Sequence, residues 1–190
     1  LFRIRQSEPP TDFEFPLRGI FPATSPAYWQ AANAIARQCW HEETPPKNII
    51  TQWQKTYPSG LCVVVDKHDF VLGYFDIYAV KKGFIDQLRS GVCDEFNLVD
   101  QLDPPGDSNG LDLSPSDLYV AGVATAQLRG MTRKSQQLAG FVEYCLLLIL
   151  YESWLKHWRS EHRLTIHAVA FTDDGLHLCE SLLGADASTK

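Results

Sequence analysis

The chain has 190 residues, 45% of them apolar, and a formal charge of −6. That length suits one domain with a sizeable core, and the apolar fraction excludes an intrinsically disordered chain. The acidic balance argues against nucleic acid as a partner, while leaving local basic clusters free to hold a polyanionic cofactor.

The opening residues, 1–12, carry Pro9-Pro10 and read as an N-terminal arm. A single domain is expected over 13–186, with a short tail at 187–190. "FEFPLRGIF" reads as a strand, weakened at Pro16 because proline cannot donate to a ladder. Ser25 followed by Pro26 is a helix start: a side-chain oxygen can cap the free amides, and proline suits the first helical position. Tyr28, Ala32, Ile35 and Cys39 then recur at helical spacing through "PAYWQAANAIARQCW". "HEETPP" ends that helix, and a second runs through "KNIITQWQKTY". In "LCVVVDKHDFVLGYFDIYAV" two β-prone runs flank "DKHD", which predicts a hairpin.

From about 81 to 116 the periodicity is weak, and the later part is rich in Pro, Gly, Asp and Ser. This predicts a long loop or lid, with a short helix at "FIDQLRSGV". Between Phe84 and Asp117 stand eight acids: Asp86, Asp94, Glu95, Asp100, Asp103, Asp107, Asp112 and Asp117. Arg89 is the one base there. Such an insertion is either a solvated loop or a cover that favours a cationic acceptor. "DLYVAGVAT" is the next strand, a long helix follows from about Lys134 to Trp158, and "LTIHAVAF" reads as a short buried strand. "TDDGLHLCESLL" is a final amphipathic helix. Hairpins followed by a strand–helix–strand crossover imply a mixed sheet with helices on both faces.

The five cysteines are odd in number, lack CxxC spacing and mostly lie in apolar runs. They read as reduced, buried thiols in a cytoplasmic protein without a zinc site. The six histidines form no metal constellation. No signal-peptide pattern is visible, and "YCLLLILY" is too short to span a bilayer, so no membrane partner is expected. The chain begins at Leu1 rather than Met, which is compatible with a piece of a longer protein.

The order and spacing of these elements resemble the GNAT family of acyl-CoA-dependent N-acyltransferases over about residues 12–186. The hairpin with Gly73-Tyr74 is similar to that family's second and third strands, and "LYVAGVAT" to its fourth. "RGMTRK" stands where the pyrophosphate loop would be, and "AVAFTDDGLHLCESLLGAD" where the fifth strand and following helix would be. The resemblance implies an α/β (α+β) fold with a mixed, mostly antiparallel central sheet flanked by helices. It also implies acetyl-CoA, or another acyl-CoA, as cofactor. The pantetheine arm would lie between diverging fourth and fifth strands against Gly122, Val123 and Ala124. The pyrophosphate would sit on Arg129, Gly130, Met131, Thr132, Arg133, Lys134 and Ser135, at a helix N-terminus. Thr132 and Lys134 stand where the family motif has Gly and Gly or Ala, which shifts the cradle from backbone amides toward side chains. The competing local reading is a capped helix with exposed basic residues.

Acyl transfer to an amine needs a base, a held carbonyl and a proton donor for the leaving thiolate. Asp76 is the first candidate base: strand alternation sets it on one face with Tyr74 and Tyr78. Tyr119 is a candidate catalytic group or a pocket wall. Asp117, Glu42 and Glu43 are further bases to weigh. The last helix lacks the family's catalytic Tyr, and Glu180 stands at the matching position with Cys179 beside it. The expected activity is acetyl transfer to the amine of a small-molecule or peptide acceptor, possible cations included, in a chain that could pair as a homodimer. The alternative is a catalytically degenerate binding or regulatory module of the same fold.

Overall fold

A computed structural model describes residues 17–40, 45–81, 83–103, 117–126 and 165–169, with the helical positions 138, 140, 142, 145, 176, 179 and 180. Leu17–Pro22 is β1, Pro26–Trp40 is α1 and Lys47–Thr56 is α2. Leu61–Asp66 and Val71–Ala79 are β2 and β3. Phe84–Ser90 is α3, and a 3-10 turn at Glu95–Asn97 runs into α4 at Leu98–Gln101. Asp117–Thr125 and Thr165–Ala168 are β4 and β5. The strands form one sheet in the order β1-β2-β3-β4-β5. The first three pairings are antiparallel and the last is parallel. The sheet is therefore mixed and mostly antiparallel, as the element order predicts.

The hairpin turn is built by Asp66. Its buried Oδ1 accepts the backbone N–H groups of His68 and Phe70, both at 2.9 Å. Asp69 takes the left-handed conformation at φ 68°, which short polar side chains tolerate. α1 starts as its sequence requires, with Ser25 Oγ accepting the Tyr28 amide at 3.2 Å.

α1 buries Trp29, Ala32, Ile35 and Ala36 against Leu61, Val63, Val65, Val71 and Tyr74 of the sheet. On the opposite face lie the helical residues Leu138, Val142 and Cys145, all buried at i, i+4 and i+7 spacing. Gly73 lets that packing happen. A Cβ there would lie 2.7 Å from Val142 Cγ2 and 2.8 Å from the Ala124 carbonyl oxygen. Helices thus flank both faces of the sheet.

Two expectations need correction. The expected short helix is present as α3, bracketed by Gly83 at φ 90° and Gly91 at φ 70°, but the loop expected after it opens with a 3-10 turn and α4. The apolar positions Phe84, Ile85, Leu98 and Leu102 are buried, but two short helices and a single bridge to Val80, not one long element, carry them. That is why their periodicity is weak. Asp94 caps the 3-10 turn by accepting the Phe96 amide at 2.9 Å. The segment closes back on β3, with Asp103 N–H on the Ala79 carbonyl at 2.9 Å. Residues 104–116 lie outside the described residues. The second correction concerns β5, which is not a buried strand. Thr165 and Ala168 are exposed, and Ile166 and His167 are half-buried. Its only ladder among the described residues is with β4.

Candidate functional site

Two β-bulges shape the centre of the sheet. Val64 pairs with Gly73 but Val65 with Val71, so Leu72 is the extra residue on β3. Asp76 pairs with Gly122 but Ile77 with Val120, so Ala121 is the extra residue on β4. A bulge bends its strand and re-aims side chains. The second one follows directly on the described β4–β5 ladder, which runs from Asp117↔Thr165 to Val120↔Ala168.

A cavity of about 290 Å³ lies over this bulge, between the sheet and the first two helices. α1 contributes Trp29, Ala32, Asn33 and Ala36, and α2 contributes Ile50 and Trp53. Tyr74 and Asp76 rise from β3, Ala121 and Gly122 from β4, and Glu95 enters from the 3-10 turn. The wall is therefore largely apolar and aromatic, with two carboxyl groups. Asp76 stands opposite Gly122 in the ladder, and Gly122, lacking a side chain, leaves space there. A Cβ on Gly122 would sit 3.5 Å from both Asp76 Oδ2 and Tyr74 Oη.

The polar atoms of this wall are unusual. Trp29 Nε1, Asn33 Oδ1, Trp53 Nε1 and Asp76 Oδ1 are all buried, and none has a hydrogen-bond partner among the described residues. All four residues line the same cavity. Buried polar groups are nearly always satisfied, so a cluster of unsatisfied ones marks a place where something polar is meant to bind. Burial raises the Asp76 carboxyl well above the usual carboxylate range, and the negative charge of Glu95 adds to that. Burial also raises Glu95, against the opposing pull of the Tyr119 hydroxyl, which donates to Glu95 Oε1. Tyr74 is raised by burial and by Asp76.

The sequence-predicted residues fall out as follows. Asp76 lines the cavity on the same sheet face as Tyr74, and Tyr119 supports the second carboxyl from its buried position opposite Tyr78. Gly122, Val123 and Ala124 lie on the bulged half of β4. Asp117 lies at the far end of β4, where its Oδ1 is 3.8 Å from His167 Nε2. Glu180 is an exposed helical residue and does not line the cavity. Glu42, Glu43 and the stretch Arg129, Gly130, Met131, Thr132, Arg133, Lys134 and Ser135 lie outside the described residues.

Glu95, Trp29, Asn33 and Trp53 were not singled out by sequence reasoning. The acidity of the insertion was the one signal pointing to Glu95. The cysteines are free, but only Cys62 and Cys145 are buried, while Cys39, Cys93 and Cys179 are half-buried. Burial pushes Cys62 up to about 12 and Cys145 to about 11, so both stay as inert thiols near neutral pH. Among the described residues no cluster of His, Cys, Asp or Glu could hold a metal, and no helix is long and apolar enough to cross a membrane. Comparison with family models, with curated proteins and with solved structures finds no match.

Proposed function

We propose that the chain is an N-acyltransferase that moves an acyl group, acetyl in the simplest case, from acyl-CoA to an amine. One observation carries the reading: a cavity with two carboxyl groups and four unsatisfied buried polar atoms lies over the centre of the sheet, against Ala121 and Gly122 of β4. Gly122, Val123 and Ala124 are the residues that would hold the pantetheine arm: Gly122 lines the cavity, and the other two follow it along β4. The thioester supplies an activated acyl carbon. The cavity supplies the place for the amine, and cytoplasmic thioester chemistry agrees with five unpaired cysteines.

Asp76 is the base in this scheme. The amine arrives as an ammonium ion and must lose a proton before its lone pair can form the C–N bond. A carboxyl raised by burial is a better proton acceptor than an ordinary one. The entering cation also offsets the repulsion between Asp76 and Glu95. Glu95, held by Tyr119, keeps the site negative while Asp76 exchanges its proton. As the C–N bond forms, the C–S bond breaks and the thiolate takes up a proton.

A second reading, a binding module without turnover, is favoured by one observation. The Tyr119 hydroxyl is engaged by Glu95 and Glu180 lies off the cavity, so neither of these two candidate groups is placed to protonate the thiolate, and the Tyr74 hydroxyl lines the wall in their stead. Calorimetry with CoA and acetyl-CoA, followed by thiol release against amines, separates the two. Micromolar binding with turnover that falls about 10²-fold in Asp76→Asn supports transfer. Binding of neither thioester nor CoA at low salt excludes it.

A further inference from the structure

The unsatisfied atoms of the cavity describe their ligand more closely than the reading above requires. Two are donors, Trp29 Nε1 and Trp53 Nε1, on residues only 7% and 3% exposed. Two are acceptors, Asn33 Oδ1 and Asp76 Oδ1. A ligand that satisfies all four must offer N–H groups to one pair and an oxygen to the other. The two carboxyls of the lining, Asp76 and Glu95, favour the N–H group as a cation. The remaining wall, Ala32, Ala36, Ile50 and Leu61, is aliphatic and takes an apolar body.

The charge of the wall restricts that oxygen. Asp76 and Glu95 line the cavity, and no basic side chain does so among the described residues. Lys47 lies outside the lining, exposed, with Nζ 5.2 Å from the Trp29 ring centroid. A free carboxylate on the ligand would therefore meet two acids in a site of low dielectric, where repulsion is least screened. A neutral oxygen would not. The volume, about 290 Å³, lies at the small end of ligand pockets.

We infer that the cavity binds a small primary ammonium compound with an aliphatic body and a neutral oxygen acceptor, of the amino-amide or amino-alcohol class, and excludes the corresponding free amino acid. This deepens the amine-acceptor reading of the same cavity but stands without acyl transfer, because binding needs no thioester.

Three related probes test it: leucinamide, leucine and 3-methylbutylamine, titrated calorimetrically at pH 7.5 and low salt with no CoA present. Leucinamide should bind at least tenfold more tightly than leucine, which carries a carboxylate in place of the amide, and severalfold more tightly than 3-methylbutylamine, which lacks the carboxamide. Asp76→Asn should weaken leucinamide at least tenfold. Trp53→Phe, which keeps an aromatic ring but removes the donor, should weaken leucinamide more than 3-methylbutylamine and so narrow the gap between them. Each variant is first checked for a cooperative melt, and Trp29→Phe replaces Trp53→Phe if that one does not fold. Leucine binding as tightly as leucinamide overturns the proposal, and so does failure of all three probes to bind at millimolar concentration. Leucinamide binding in a chain that ignores acetyl-CoA would sustain this proposal while ending the acyltransferase reading.

Discussion

Tyr119 is a residue whose role changed between sequence and structure. In the sequence it reads as a wall residue or a catalytic group; in the fold its hydroxyl donates to Glu95, and its ring meets Phe84 edge-on at a centroid distance of 5.9 Å. Hydrogen bonds to a charged group contribute more than neutral ones, about 1.5–3 kcal/mol. Tyr119→Phe keeps the ring packing and removes the donor, so Glu95 loses the interaction that holds its carboxyl down. The expected loss of stability is about 1–2 kcal/mol at the more alkaline of two pH values, and it shrinks as pH falls and the raised carboxyl takes up a proton. Urea midpoints of wild type and variant at the two pH values check this. A pH-independent loss would assign Tyr119 to packing alone. Asp76 was legible from strand alternation, because an acid between two aromatics on one sheet face is rare. Glu95 was not, because nothing in "CDEFN" tells which of two adjacent acids turns inward; the Asp94 cap decides that, by committing Asp94 to the turn's own amides.

Elements were more legible than their irregularities. "DLYVAGVAT" maps onto β4 residue for residue, and Ser25-Pro26 starts α1 where capping chemistry requires. The bulges at Leu72 and Ala121 could not be read, since each depends on the partner strand's register rather than on its own residue type. Yet the Ala121 bulge lies in the floor of the candidate site, where Ala121 and Gly122 both line the cavity. Gly73 is the sequence mark of a second constraint: it is where a helix rests directly on β3. Gly73→Ala would force Val142 or the β4 backbone to move, since a Cβ would sit within 2.8 Å of both. Overpacking of this kind costs about 1–3 kcal/mol. The urea midpoint should fall accordingly with the slope unchanged, and a neutral result would mean that the helix can lift from the sheet without loss.

For the molecule as a whole, burying two acids in one cavity makes stability depend on pH in an uncommon direction. Asp76 and Glu95 both have folded-state values raised above their unfolded ones, chiefly by burial. A raised carboxyl favours the folded state while both states are protonated, below the ordinary carboxylate range near pH 4. That advantage is lost as pH rises through the folded values, because the unfolded chain ionises more readily. His167 acts in the opposite sense: burial lowers it, so its contribution is lost as pH falls below about 6.5. The wild-type urea midpoint should therefore decline from the mildly acidic side of its maximum toward pH 8. The variant carrying Asp76→Asn and Glu95→Gln should remove that decline and leave the His167 limb on the acidic side. At pH 8 the double variant should melt higher than wild type, by about 2–4 °C for each kcal/mol recovered. A bound ammonium ion should act like the substitution, since it lowers the cost of keeping both carboxyls charged, so leucinamide should raise wild-type stability more at pH 8 than at pH 5. If the double variant instead melts lower at pH 8, the two acids are being satisfied within the protein and the cavity is not held open for a cation.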